Sequence, residues 1–215
     1  MNLHIREPIN SLSHLLGIIL SCIGLVLLLY VSILSGNTVK IVSSLVFSFG
    51  LIALYTASTV YHWKITSEKT LEYLRKVDHI MIYILIAATY TPICLVTLKG
   101  FVGYLLLAII WSLAIAGMIL KLFWLNGPRW LYTSFYLILG WAAIFVIYPL
   151  YKALPLMGLI MLISGGLYYS IGAVVYATKS DKIRLWKFGF HEIFHVFILL
   201  GSISHFLLIY NYVVS

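Results

Sequence analysis

The sequence predicts an all-α fold, a polytopic membrane protein built as a bundle of seven transmembrane helices. Three observations lead there. Of 215 residues, 63% are hydrophobic and 9% charged, and the mean hydropathy is +1.07. Seven stretches, each with at most one charged residue, reach the ~20 residues that cross a bilayer. These stretches use almost the whole chain, which leaves no segment for a soluble domain. Backbone groups in lipid must bond within their own segment, so the spans are helices. The expected spans are 12–34, 41–63, 80–98, 101–120, 130–151, 154–177 and 188–214, within one domain over residues 1–215.

The first stretch is too long for the apolar core of a signal peptide. Ser35-Gly36-Asn37 also lacks the small-residue cleavage pattern, so it is read as a retained span. Spans one and two are joined by Ser35–Val39, three and four by Lys99-Gly100, and five and six by Lys152-Ala153 before Pro155. Connections this short make their helices antiparallel neighbours. Lys64–Val77 is longer and is expected to hold a short interfacial helix, with Glu72 and Lys76 as an attractive i, i+4 pair. Asn126-Gly127-Pro128 reads as the turn between spans four and five. Trp63, Trp124, Trp130, Tyr151, Trp186 and Tyr210 stand near span ends, as an interfacial aromatic belt does.

Charge sets the orientation. The formal net charge is +8, and eleven of fourteen basic residues fall at the amino end or after spans two, four and six. They are Arg6, Lys64, Lys69, Arg75, Lys76, Lys121, Arg129, Lys179, Lys182, Arg184 and Lys187; the other side has Lys40, Lys99 and Lys152. The positive-inside rule puts the amino terminus in the cytoplasm and the carboxyl terminus outside. This placement argues against nucleic acid as a partner and for membrane lipids, whose anionic head groups the basic residues can touch. Cys22 and Cys94 lie far apart in apolar spans and read as inert buried thiols.

That topology gathers the ionisable residues. His62 ends span two, Asp78 opens span three, and His191 and His195 open span seven, all on the cytoplasmic side. His191 and His195 are one turn apart on one helix face, and Ser58 and His62 share that spacing. Ionisable groups inside a membrane are expensive and mark functional sites. Three neutral imidazoles with a fourth position open match a catalytic zinc site. Zinc acts as a Lewis acid and lowers the pKa of bound water to about 7. Asp78 is then a candidate to hold that water or act as general base, with Ser58 as a hydrogen-bonding partner. Ser58, Asp78 and Glu192 are candidate partners for the second N–H of a ligating imidazole. Interhelical hydrogen bonding is the competing role for the same histidines.

The remaining histidines read differently. His4 is a solvated tail residue, and His14 a packing residue or an outer partner of the site. His79 faces about 100° away from Asp78 on the helix. His205 lies nearly three turns beyond His195, too distant for the same metal. No lysine occurs from Phe188 to Ser215, which excludes a retinal protein; a His62–His195 pair at matched depth leaves haem ligation open.

In sequence order the motifs are Glu7-Pro-Ile-Asn10-Ser-Leu-Ser-His14-Leu-Leu-Gly17, Ser58-Thr-Val-Tyr-His62, Val77-Asp78-His79 with Tyr90-Thr91-Pro92, and His191-Glu-Ile-Phe-His195 with His205-Phe206. Together they resemble the bacterial hemolysin III family, within the progestin and adiponectin receptor superfamily. The resemblance covers the first three spans and the last. It implies zinc near the cytoplasmic face, held by His62, His191 and His195, with Asp78 holding water and Ser58 supporting. The superfamily is similar to alkaline ceramidases, so the resemblance also implies hydrolysis of a lipid amide or ester and a role in membrane-lipid homeostasis. Two other functions use the same residues: a non-catalytic zinc-containing receptor or regulator, and a haemolytic pore or channel. Against the pore stand the lack of an amphipathic pore segment and the lack of a secretion signal.

Overall fold

The computed structural model describes residues 5–124, 127–180, 182, 184–186 and 188–215. His4, Asn126 and Lys187 lie outside the described residues. Among those described, the chain is helical without a strand, and seven helices are long and apolar enough to cross a membrane. They are α1 (Pro8–Leu34), α2 (Thr38–Trp63), α3 (Glu68–Leu98), α4 (Gly100–Phe123), α5 (Arg129–Ala153), α6 (Leu156–Thr178) and α7 (Phe190–Val214).

Local chemistry sets their ends. Pro8 begins α1, where its missing N–H costs nothing. The Asn37 side chain accepts from the N–H groups of Val39 and Lys40 and caps α2. Gly36 and Gly100 take left-handed φ values of 63° and 57°, which the tight turns require. Ser67 caps α3 by accepting from Thr70 N–H.

Helix α3 starts twelve residues before the expected span. The segment expected to form a separate interfacial helix is its first turns. The cause is continuity: no Gly or Pro interrupts residues 68–80, and Glu72 pairs with Lys76 at 3.7 Å. Helix α1 likewise starts at Pro8 and not at residue 12. Span five, expected to be continuous, changes to a 3₁₀ helix over Trp141–Val146. Pro149 has no N–H to give to the preceding turn, so a regular α-helix cannot run through. The Tyr90 hydroxyl answers the break: it donates to Gly140 C=O at 2.7 Å and accepts from Ala143 N–H at 2.8 Å. Pro92 acts similarly in α3, whose last turn, Ile93–Leu98, is a π-helix.

The helices pack in chain order, α1 on α2, α2 on α3, α3 on α4, and α6 on α7, with α1 against α7 closing the bundle. Helix α1 shows the inverted pattern of a protein in lipid. Ser11, His14, Gly17, Ser21, Gly24, Leu28 and Ser32 face inward, while Leu12, Leu16, Ile19, Ile23 and Tyr30 face out. Small inward residues let helices approach closely, and hydroxyls join them across the interface. The Ser32 and Ser44 hydroxyls meet at 2.8 Å between α1 and α2. A Cβ at Gly17 would lie 2.5 Å from the Tyr55 ring, so only glycine admits that ring beside the histidines.

Candidate metal centre

Four helices converge at the amino-terminal end of the bundle. The last turn of α2 presents His62, and the first two turns of α7 present His191 and His195. His62 and His195 are buried and His191 is partly so. One ring nitrogen from each lies within 4.8 Å of the other two. The three ring centroids form a near-equilateral triangle, with sides of 5.1, 4.9 and 4.8 Å. His62 Nε2 and His191 Nε2 stand 3.4 Å apart. Two nitrogens at Zn–N bonds of ~2.0–2.1 Å and a tetrahedral angle are about 3.3–3.4 Å apart, so this donor set fits zinc.

The neighbours set which nitrogen faces the centre. Glu7, just ahead of α1, lies 2.6 Å from His62 Nδ1 through its Oε2. It also accepts from Asn10 Nδ2 at 3.0 Å and pairs with Arg6 at 3.1 Å. Burial pushes the Glu7 carboxyl up, but the hydrogen bonds to His62 and Asn10 and the Arg6 charge outweigh it and hold it below the usual carboxylate range. A carboxylate on Nδ1 makes that nitrogen the donor and leaves Nε2 its lone pair for a metal. The chain around Glu7 is tied down as well. Glu7 N–H donates to His62 C=O at 3.1 Å, and an Arg6 guanidinium N–H donates to Tyr61 C=O at 2.7 Å.

His195 is oriented by α1. Ser13 donates its hydroxyl to Asn10 C=O at 2.9 Å, so its Oγ, 3.3 Å from His195 Nδ1, is left to accept from that ring. Nε2 of His195 is again the free nitrogen. His14 stacks on His195 at 3.7 Å and 15°, with the Tyr55 ring edge-on at 5.0 Å. It supports a ligand ring and does not join the ligand group.

Asp78 and Ser58 occupy the wall of the adjoining cavity, side by side, with His62 in electrostatic range. Asp78 lies 3.6 Å from His79 Nδ1, and among the described contacts neither residue hydrogen-bonds His62, His191 or His195. Glu192 is not the outer partner of an imidazole either: it accepts from Gly189 N–H at 2.9 Å and caps α7. Glu7 and Ser13 fill that role. Glu7 stood in the sequence without an assigned role; its signal was a carboxylate beside a helix-starting proline at the depth of the histidines. His79 is hydrogen-bonded to Arg75 C=O at 2.8 Å and meets the Tyr176 hydroxyl at 3.3 Å, joining α3 to α6. His205 meets Leu162 C=O at 3.3 Å, outside the ligand group.

The cavity measures about 440 Å³, within the range of small-molecule sites. Its wall takes His191 and His195 with Asp78 and Ser58 at one end, and Trp141, Tyr169 and His205 farther in.

The profile of a family described as "Haemolysin-III related" matches residues 3–206. "Hemolysin-3 homolog" of Bacillus subtilis (strain 168) is 40% identical over 212 residues, covering 98% of this chain and 96% of that protein. "Hemolysin-3" of Bacillus cereus is 38% identical over 214 residues, covering 99% and 94%. The human "Monocyte to macrophage differentiation factor" is 28% identical over 207 residues, covering 94% and 82%.

Proposed function

The chain belongs to the haemolysin-III related family, and on that premise we propose that this integral multi-pass membrane protein is a zinc-dependent hydrolase of a lipid amide or ester, acting in membrane-lipid homeostasis. One observation carries the reading. Two of the three imidazoles at zinc-ligand spacing, His191 and His195, line a largely apolar cavity that also holds a carboxylate and a hydroxyl.

Bound at His62, His191 and His195, zinc supplies a Lewis acid that polarises a carbonyl and makes water a better nucleophile near neutral pH. The protein supplies the rest. Glu7 and Ser13 hold the His62 and His195 rings with Nε2 inward. Asp78 takes a proton from the water that attacks the acyl carbon, and returns it to the nitrogen or oxygen that leaves as the C–N or C–O bond breaks. Ser58 hydrogen-bonds Asp78 or the acyl oxygen. The apolar wall admits a lipid chain and excludes bulk water.

Purified protein is expected to release fatty acid from a ceramide or acyl-ester lipid in mixed micelles. Chelation should abolish release and added zinc should restore it. If no lipid turns over in zinc-loaded protein, the site is non-catalytic, and the receptor or regulator reading replaces the hydrolase. Ion flux through metal-free liposomes would instead support a haemolytic pore.

The basic end is the cytoplasmic side in this reading, with the carboxyl terminus outside a bacterial inner membrane. Alkaline phosphatase fused after Ser215 should therefore be active; an inactive fusion beside an active amino-terminal one would invert the topology.

A further inference from the structure

A second cavity borders the metal centre. It measures about 420 Å³, and its wall includes Glu7, Asn10, His62, Arg184 and Glu192. Tyr61, Phe190 and His191 line both cavities, so these three rings stand as the partition between them. Of the other two ligand candidates, His62 lines the second cavity and His195 the first. His62 and His191, whose Nε2 atoms are 3.4 Å apart, therefore both border the second cavity, and His195 lies beyond them.

The two walls differ in character. The first is largely apolar and runs between the membrane-spanning helices, with Leu54, Leu85, Ile86, Leu137 and Ile198 on it. A divalent cation that leaves water along such a wall loses its hydration and gains little in return. The second wall is polar and reaches solvent. The Glu7 side chain is 37% exposed, and Arg184, on the connection between α6 and α7, is exposed. Its described charged residues are two carboxylates, Glu7 and Glu192, and one guanidinium, Arg184. Glu7 is committed to His62, Asn10 and Arg6. Glu192 is less occupied: its Oε2 accepts from Gly189 N–H at 2.9 Å, and among the described residues it forms no ion pair. This carboxylate stands next in the chain to His191, on the wall that reaches water.

We propose that the second cavity is the route by which the metal ion enters and leaves its site. Glu192 draws the cation in from solvent, His62 and His191 are the first ligands it meets, and His195 completes the set. The proposal rests on the zinc assignment made above and not on hydrolysis. It gives the two cavities separate tasks: the apolar one takes the lipid, and the polar one lets the metal exchange with water without crossing the apolar wall.

The test reads metal kinetics, so its result is independent of turnover. Zinc uptake by metal-free purified protein, and release to a fluorescent chelator, are followed by stopped flow. A polyethylene-glycol maleimide attached to Arg184→Cys should slow uptake and release alike, each by at least about tenfold, and leave the equilibrium affinity unchanged, because an obstacle on a path alters both rates equally. Wild-type protein given the same reagent is the control, since Cys22 and Cys94 lie in the spans and off this cavity. Glu192→Gln keeps an acceptor for Gly189 N–H but loses the charge. It should slow uptake by about threefold or more at low ionic strength, and added salt should shrink the difference. Filling the apolar cavity with 1-O-hexadecylglycerol, an ether with no amide or ester bond to cleave, should leave both rates unchanged. Rates untouched by the maleimide overturn the route. Slowing by the ether and not by the maleimide moves the route to the apolar cavity. Lower affinity with faster release after modification puts residue 184 in the site itself and also overturns the route. Uptake by Glu192→Gln at the wild-type rate at low salt overturns the role of that carboxylate. Wild-type protein that takes up no zinc overturns the metal site, a failure distinct from that of the route.

Discussion

Replacing His191 and His195 together by alanine is expected to lower the zinc retained by detergent-purified protein from about one ion per chain to background. Two of three imidazoles leave, and His62 alone cannot hold zinc against a chelator. The rings lie on the cavity wall near one end of the bundle, and the helix contacts elsewhere stay in place, so the variant should elute like the wild type on gel filtration. Zinc measured by mass spectrometry decides the matter: equal content in the two proteins would remove the triad as the metal site. A graded companion is Glu7→Gln. The amide keeps the size of the side chain but loses the charge beside His62 Nδ1. Outer-partner losses of this kind weaken metal affinity about 10- to 100-fold, which chelator competition can read. An unchanged affinity would make Glu7 an anchor of the amino terminus alone.

Asp78→Ala is expected to separate chemistry from binding. Asp78 lies outside the ligand group, so zinc content should stay at the wild-type level. Loss of a positioned proton acceptor typically lowers turnover by about 10²- to 10⁴-fold. Full lipid turnover by Asp78→Ala would end the mechanism in which this carboxylate moves the proton. Loss of zinc together with activity would make Asp78 part of the metal shell instead.

The seven spans, the short connections, and the common depth of His62, Asp78, His191 and His195 were legible in the sequence. Hydropathy and helical rise are properties of contiguous residues, and a bilayer forces each apolar run to satisfy its backbone locally. The i, i+4 pair His191/His195 needed only helix geometry. Where local rules failed, a non-local partner decided. The 3₁₀ break in α5 follows from Pro149, but it is sustained by Tyr90 of α3, fifty residues earlier than Gly140. The Glu7–His62 pair, 55 residues apart, exists because the amino-terminal segment hydrogen-bonds along the end of α2. Ser13 reaches His195 across 182 residues by the packing of α1 on α7. The buried position of Lys121, and the cavity shared by all seven helices, depend on how each helix is rotated about its own axis. By itself the sequence determined the fold class, the number of spans and the three histidines at one depth, since these follow from short-range periodicity and membrane thickness. Only the tertiary structure decided which groups orient those histidines and what lines the space before them. Helix rotation and close approach are set by contacts between residues far apart in the chain.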